Sequence, residues 1–133
     1  MCKTNNNVSY DCKYHVIWCT KYRKPVLKHE VEKILAETLR TKADEISAEI
    51  INIEIDSDYV HLLISCDPQY GIHKVVKELK AYTSKILREE FSHLRTSMPT
   101  IWTNKYYVGT VGSVDSNTIK HYIAEQEVRT KKK

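Results

Sequence analysis

Three observations predict an α+β fold of the ferredoxin-like (RRM-like) kind: a four-stranded antiparallel sheet with two helices on one face, plus a C-terminal helix. Apolar side chains alternate with period two in four stretches and recur at helical spacing in three others. The stretches follow the order β-α-β-β-α-β-α, and the first six elements make the split β-α-β repeat of that fold. The link Asp56-Ser57-Asp58 between the second and third strands is short enough for an antiparallel hairpin. The last helix lies outside the six-element unit, so it is free to cover the open face of the sheet or to reach another chain.

The elements follow from the sequence in order. Residues 1–7 are polar and Asn-rich and are expected to fray. From Val8 one long strand is expected, with Val8, Tyr10, Cys12, Tyr14, Val16 and Trp18 on one face and His15 and Ile17 on the other. Lys21-Tyr-Arg-Lys-Pro25 ends it. A helix over 29–46 puts Val31, Ile34, Leu35, Thr38, Leu39, Ala43 and Ile46 on one stripe. In the strand 48–56, Ile51, Ile53 and Ile55 alternate with Asn52, Glu54 and Asp56. In the strand 59–65, Val60, Leu62 and Ile64 point to the helices, which leaves Tyr59 and His61 on the open face. Asp67 and Pro68 mark a turn, and a second helix over 71–92 buries Ile72, Val75, Val76, Leu79, Thr83, Ile86 and Leu87. A strand over 101–110 follows Pro99, and a last helix spans about 115–128.

The chain has 133 residues, which fits one domain with a basic tail at 129–133. Hydrophobic residues make up 41% and charged residues 29%, as in ordinary globular proteins. No apolar run approaches the roughly 20 residues of a membrane span, and the N-terminus lacks a signal-peptide core, so a cytoplasmic protein is expected. Lys and Arg exceed Asp and Glu by 21 to 17, a net charge of +4 that permits a nucleic-acid partner without requiring one. Cys2, Cys12, Cys19 and Cys66 form no C-x-x-C pair and match no zinc spacing, so reduced, partly buried thiols are expected.

Three groups of residues could carry chemistry. His61 shares the open face with Tyr59 and lies across the hairpin from Glu54. With Asp56 and Asp58 nearby, oxygen donors and an imidazole suit a divalent metal, although a single His on a sheet is more often structural. Tyr122 and Gln126 are four apart on a helix and so share a face. A phenol oxygen can be a nucleophile, but a Tyr at an apolar helical position is more often packing. Finally, cations interleave with aromatic residues: Lys13, His15, Lys21, Arg23, Lys24 and Lys105 among Tyr14, Tyr22, Trp102, Tyr106 and Tyr107, with Lys80 on the second helix. Such surfaces suit unpaired nucleic acid, while the plain alternative is a sheet built from β-favouring aromatics.

Lys13-Tyr-His-Val-Ile-Trp-Cys-Thr-Lys-Tyr-Arg-Lys24, Asp58-Tyr-Val-His-Leu-Leu-Ile64, the segment Trp102–Gly112 and Ile119-Lys-His-Tyr-Ile-Ala-Glu-Gln126 together carry a resemblance across nearly the whole chain. They resemble, in order, the opening strand, metal-binding strand, last strand and catalytic helix of the single-tyrosine HUH transposases of bacterial and archaeal insertion sequences (TnpA type). The resemblance implies a homodimer that binds the hairpin-bearing ends of its element as single-stranded DNA. It implies a tyrosine nucleophile, here Tyr122, that forms a 5′-phosphotyrosine and frees a 3′-hydroxyl for later rejoining. It also implies a divalent metal, Mg2+ or Mn2+, held by two His and a polar residue one turn after the tyrosine, here His61 and Gln126.

The chain departs from that pattern at one place. The motif His-hydrophobic-His reads Tyr59-Val60-His61. A neutral phenol, with a reference pKa of about 10, is a poor ligand for a hard divalent ion. Three readings stand side by side: a metal held by His61, Gln126 and water with Glu54 or Asp56 substituting; a copy that binds DNA but cleaves slowly; or a substitution accidental to this chain. A non-catalytic hairpin-binding protein is the alternative to a transposase, and a protein-interaction module without nucleic acid is the third class.

Overall fold

The computed structural model describes residues 3–5, 7–110, 112 and 116–126. The basic tail at 129–133 lies outside them. The described elements are β1 (Lys3–Thr4), β2 (Ser9–Tyr10), β3 (Lys13–Cys19), a 3-10 turn (Lys21–Arg23), α1 (Glu30–Glu45), β4 (Glu49–Ile55), β5 (Tyr59–Ser65), α2 (Ile72–Glu90), α3 (Ser92–Ser97), β6 (Tyr107–Thr110) and α4 (Ser116–Ala124).

The main sheet has the order β4-β5-β3-β6 with every neighbour antiparallel, as the split β-α-β arrangement requires. Period-two alternation sends Val16, Trp18, Val60, Leu62 and Ile64 to the face covered by α1 and α2, where each is fully buried. They meet Leu35 and Leu39 of α1 and Val75, Val76, Leu79 and Leu87 of α2. Trp18 and Trp102 pack edge to face with centroids 5.8 Å apart. Trp102 donates its indole N–H to Thr83 Oγ1 at 3.0 Å, which satisfies a polar group inside the core.

The first strand needs correction. The strand from Val8 breaks at Asp11–Cys12, because Ser9–Tyr10 pairs with Lys3–Thr4 in a separate two-stranded ribbon. Asn5 makes this turn: its side-chain oxygen accepts from the backbone N–H groups of Asn7 and Val8, both at 2.7 Å. Its amide also donates to Asp67 at 2.6 Å, which links residues 3–5 to the turn after β5; residues 1, 2 and 6 of the segment expected to fray lie outside the described residues.

Three further boundaries differ. A bulge between Ile50 and Asn52 shifts the parity of β4, so Ile50 is buried and Ile51 is left 41% exposed. The second helix ends at Glu90, and the short α3 follows it. The strand expected over 101–110 shrinks to Tyr107–Thr110 and an isolated bridge from Trp102 to Thr20. The carbonyls of Thr103 and Lys105 accept instead from Lys80 Nζ, at 2.7 and 3.2 Å.

The bulge makes neighbouring isoleucines unequal. Leu62→Ala should lower unfolding stability by about 2–5 kcal/mol in urea titrations. Ile51→Ala should stay within about 0.5 kcal/mol of the parent. An equal loss at both would mean that the strand runs without the bulge.

Candidate functional site

The open face of the sheet is read from the same register. Ile17 pairs with His61 and Cys19 with Tyr59 across β3 and β5, and Ile17 pairs with Tyr107 across β3 and β6. α4 lies over these side chains. Ile17, Cys19 and Ile123 are buried together, with Tyr59, Tyr107, Ile119 and Tyr122 packed around them. The last helix therefore covers the open face, one of the two roles its position allowed.

Tyr122 sits inside this second, smaller core. Its ring lies 5.7 Å from that of Tyr107, tilted by 49°. Its hydroxyl is buried and has no hydrogen-bond partner among the described residues. Burial pushes the phenol pKa well above its ordinary value, and the neighbouring Cys19 thiol adds to the rise. The Cys19 thiol is itself pushed up to about 11, first by burial. Both groups are thus held neutral.

One edge of Tyr122 reaches a cavity of about 400 Å³, which Lys21, Asn104, Lys105, Glu125 and Gln126 also line. Gln126 Nε2 donates to the Tyr122 carbonyl at 3.1 Å, closing the end of α4. Glu125 pairs with His121 at 2.9 Å. Lys80 holds the 103–105 segment from below, and burial lowers its pKa to about 8. The geometry of that cavity wall thus depends on a lysine that the sequence groups with the candidate DNA contacts.

The other basic candidates separate. Lys21 and Lys105 converge on the cavity. Arg23 Nε donates to Asp58 Oδ2 at 3.2 Å, in a half-buried pair that fixes the turn after β3. Lys13 pairs with Asp11 at 2.5 Å. The Lys24 carbonyl accepts from Thr20 Oγ1 at 2.8 Å, which anchors its backbone. His15 lies on the open face, with Nδ1 2.8 Å from His61 Nε2. Burial lowers the His15 pKa first, and the neighbouring His61 lowers it further.

The metal that the resemblance implies needs donors that are free to face it. His61 uses Nε2 on His15 and Nδ1 on Glu54 Oε1, 3.1 Å away. The Gln126 amide N–H donates to the Tyr122 carbonyl, so its amide oxygen is the atom that could face an ion. Burial, then Asp56 and Glu54, raise the Tyr59 phenol pKa, so that group offers no phenolate. Among the described residues no group of three or more His, Cys, Asp or Glu side chains is arranged around an ion. As they stand, Tyr59 and His61 do not fit the metal, the first a neutral phenol and the second with both ring nitrogens engaged.

The family model described as an IS200-like transposase matches residues 8–126. This chain belongs to that family. The ISDra2 transposase TnpA of Deinococcus radiodurans is 34% identical over 126 residues, covering 93% of this chain and 90% of the relative. The transposase of insertion sequence IS200 from Salmonella typhimurium is 28% identical, over 93% of this chain and 82% of its own length. The crystal structure of a D. radiodurans R1 transposase superposes with a TM-score of 0.88 and 35% identity, covering 96% of this chain and 99% of that one. A REP-associated tyrosine transposase bound to a REP hairpin superposes at 0.50 with 9% identity over 91% of this chain and 68% of that one, a likeness of fold alone.

The family pattern pointed to Tyr122, His61 and Gln126, but not to their surroundings. Cys19 beneath the tyrosine and His15 against His61 were missed as partners. Both lie on β3 with the open-face parity, so strand register was the signal that could have found them.

A buried phenol has a consequence for pH. Unfolded tyrosine titrates near pH 10, whereas folded Tyr122 keeps its proton to higher pH. The unfolded state then holds fewer protons, and stability falls as pH rises through about 10. Tyr122→Phe should therefore lose less stability than the parent between about pH 9 and 11 in denaturant titrations. Parallel losses would show a phenol that titrates normally.

Proposed function

We propose that this chain cleaves and rejoins single-stranded DNA at hairpin-bearing element ends, with Tyr122 as the nucleophile. The observation that carries the reading is the meeting of Tyr122, Gln126, Lys21 and Lys105 at one cavity on the α4-covered face, in a chain of a transposase family. Two cations at the rim can hold a backbone phosphate. Attack by Tyr122 Oη forms a phosphotyrosine bond and breaks the P–O3′ bond. The phenol gives up a proton and the departing 3′ oxygen gains one, so the exchange consumes no external energy source. The phosphotyrosine stores the broken bond until a 3′-hydroxyl attacks it. The reaction requires the Tyr122 hydroxyl to leave the cover of Cys19 and Tyr107, since burial disfavours the phenolate.

A relative of the same fold was solved on a REP hairpin, which supports a hairpin partner for this chain. The homodimer belongs to the same reading: β4 and β6 are the edges of the sheet and can pair across a two-fold axis. No helix among the described residues is long and apolar enough to cross a membrane, in keeping with action on DNA in the cytoplasm. A second reading, hairpin binding without cleavage, draws on Tyr59 in place of an imidazole and on the enclosed Tyr122 hydroxyl.

Incubation with a hairpin-bearing single strand from its own genomic flanks, plus manganese, separates the two readings. Strand transfer gives a covalent protein–DNA band that Tyr122→Phe abolishes while hairpin binding persists. Binding without any band supports the second reading, and a band that survives Tyr122→Phe removes the nucleophile assignment. Replacing Lys21 and Lys105 with Ala should weaken binding and flatten its salt dependence by about 0.7 per lost phosphate contact. An unchanged slope would place the DNA elsewhere. Light scattering should give twice 15.6 kDa, and a monomer that persists with DNA bound would contradict the dimer.

A further inference from the structure

The register of the two central strands continues one rung past their paired residues. Lys13 stands opposite Ser65, so the next rung sets Cys12 opposite Cys66. The Cys66 backbone N–H donates to the Cys12 carbonyl at 3.3 Å, which closes that rung. Both positions continue the parity of Tyr14, Val16, Leu62 and Ile64, which face α1 and α2. A hydrogen-bonded antiparallel pair holds its Cα atoms about 5.5 Å apart, inside the roughly 4.4–6.8 Å that a disulfide spans. The Cβ atoms need to close by on the order of 1 Å, at a rung where β3 ends.

The surroundings of the two thiols agree with that spacing. Tyr14 shares their face. Its phenol pKa is raised first by burial and then by Cys12 and Cys66, with a hydrogen bond to the Cys12 thiol, so one phenol has both sulfurs as neighbours. Cys66 is 2% exposed within the main core. Burial, and after it Cys12, push its thiol up to about 11. Cys12 is half-buried and lines a cavity of about 400 Å³ with Lys13, Tyr14 and Thr110. A small oxidant can therefore reach Cys12, while Cys66 sits behind it. Cys19 lies on the opposite face beneath α4, away from the pair. Cys12, Cys19 and Cys66 are free thiols, and Cys2 lies outside the described residues.

We propose that Cys12 and Cys66 are a redox modification site that hydrogen peroxide converts to a reversible cross-strand disulfide, with Cys12 oxidised first and Cys66 resolving it. The Cys12 sulfur, as thiolate, attacks one peroxide oxygen: an S–O bond forms, the O–O bond breaks, and one water leaves with the thiol proton. The Cys66 sulfur then attacks the Cys12 sulfur of that sulfenic acid. An S–S bond forms, the S–O bond breaks, and a second water carries away the Cys66 proton. Two thiols and one peroxide thus give one disulfide and two waters. The bond ties the start of β3 to the turn after β5, where Asn5 already holds Asp67. It lies at the far end of these strands from Tyr59 and Cys19, so the site does not rest on the strand-transfer reading.

The test treats the reduced full chain with hydrogen peroxide at a dose that oxidises free glutathione, alkylates the remaining thiols and digests the product without reductant. Mass spectrometry should find one linked pair, the peptides of Cys12 and Cys66, two hydrogens lighter than their sum and separated by dithiothreitol. Cys12→Ser should lose the link and leave Cys66 as a thiol. In Cys66→Ala, Cys12 should stop at sulfenic acid and take up dimedone. The oxidised parent should melt several degrees above the reduced one, because the bond closes a long loop. Thermal melts of the reduced variants check folding, and peptide mapping of the parent decides the matter without any variant. The assignment is overturned by a Cys12 that stays free or runs on to sulfinic acid while Cys66 remains a thiol. A link from Cys12 to Cys2, to Cys19 or to a second chain also overturns it, as does an oxidised parent that melts below the reduced one.

Discussion

The register between β3 and β5 is the constraint on which the rest of the molecule depends. Ile17 stands opposite His61 and Cys19 opposite Tyr59, so one set of side chains faces α1 and α2 while the other faces α4. A slip of one residue would exchange the two sets. It would put His15, His61 and Tyr59 beneath the helices and strand Trp18, Leu62 and Val60 on the other side. Burying the first set unpaired and exposing the second would each cost several kcal/mol, so the main core enforces the geometry of the site.

That division explains why the two faces differ. The α1/α2 face is a continuous aliphatic core that pairs the Trp102 indole with Thr83 and leaves the Trp18 indole N–H buried without a partner among the described residues. The α4 face mixes apolar packing with groups that have chemistry to offer. Here the Tyr122 hydroxyl is buried without a partner among the described residues. An unpaired buried hydroxyl costs on the order of 1–3 kcal/mol. The residue that bears this cost is the one the family pattern marks as the nucleophile. The lysines near it have separate roles. Lys80 holds the 103–105 wall from inside, while Lys21 and Lys105 reach the cavity.

Much of this was legible in the sequence because it follows from periodicity. Strand order, the parity of β5, the facing of Glu54 and His61, and the helical pairing of Tyr122 with Gln126 all come from spacing alone. What escaped were interactions that break a period or join distant segments. The Asn5 turn ends one strand early, the bulge at Ile51 resets another, and Lys80 takes the carbonyls that a longer last strand would have paired. The approach of His15 to His61 spans 46 positions and depends on strand alignment, which composition does not encode. Tyr59 stood out in the sequence as a lost ligand. Its second role, closing the apolar cluster beneath α4, needed the packing.

Strand transfer by this chain stands or falls with the α4 tyrosine, held over the two central strands, as the group that takes up the DNA. Proteolysis of the protein after reaction with a labelled hairpin-bearing single strand, with mass spectrometry of the DNA-linked peptide, reads that group out. A single modified site is expected, a 5′-phosphate ester on Tyr122. A linkage at Tyr59 or Tyr107, or at any residue off α4, would contradict it.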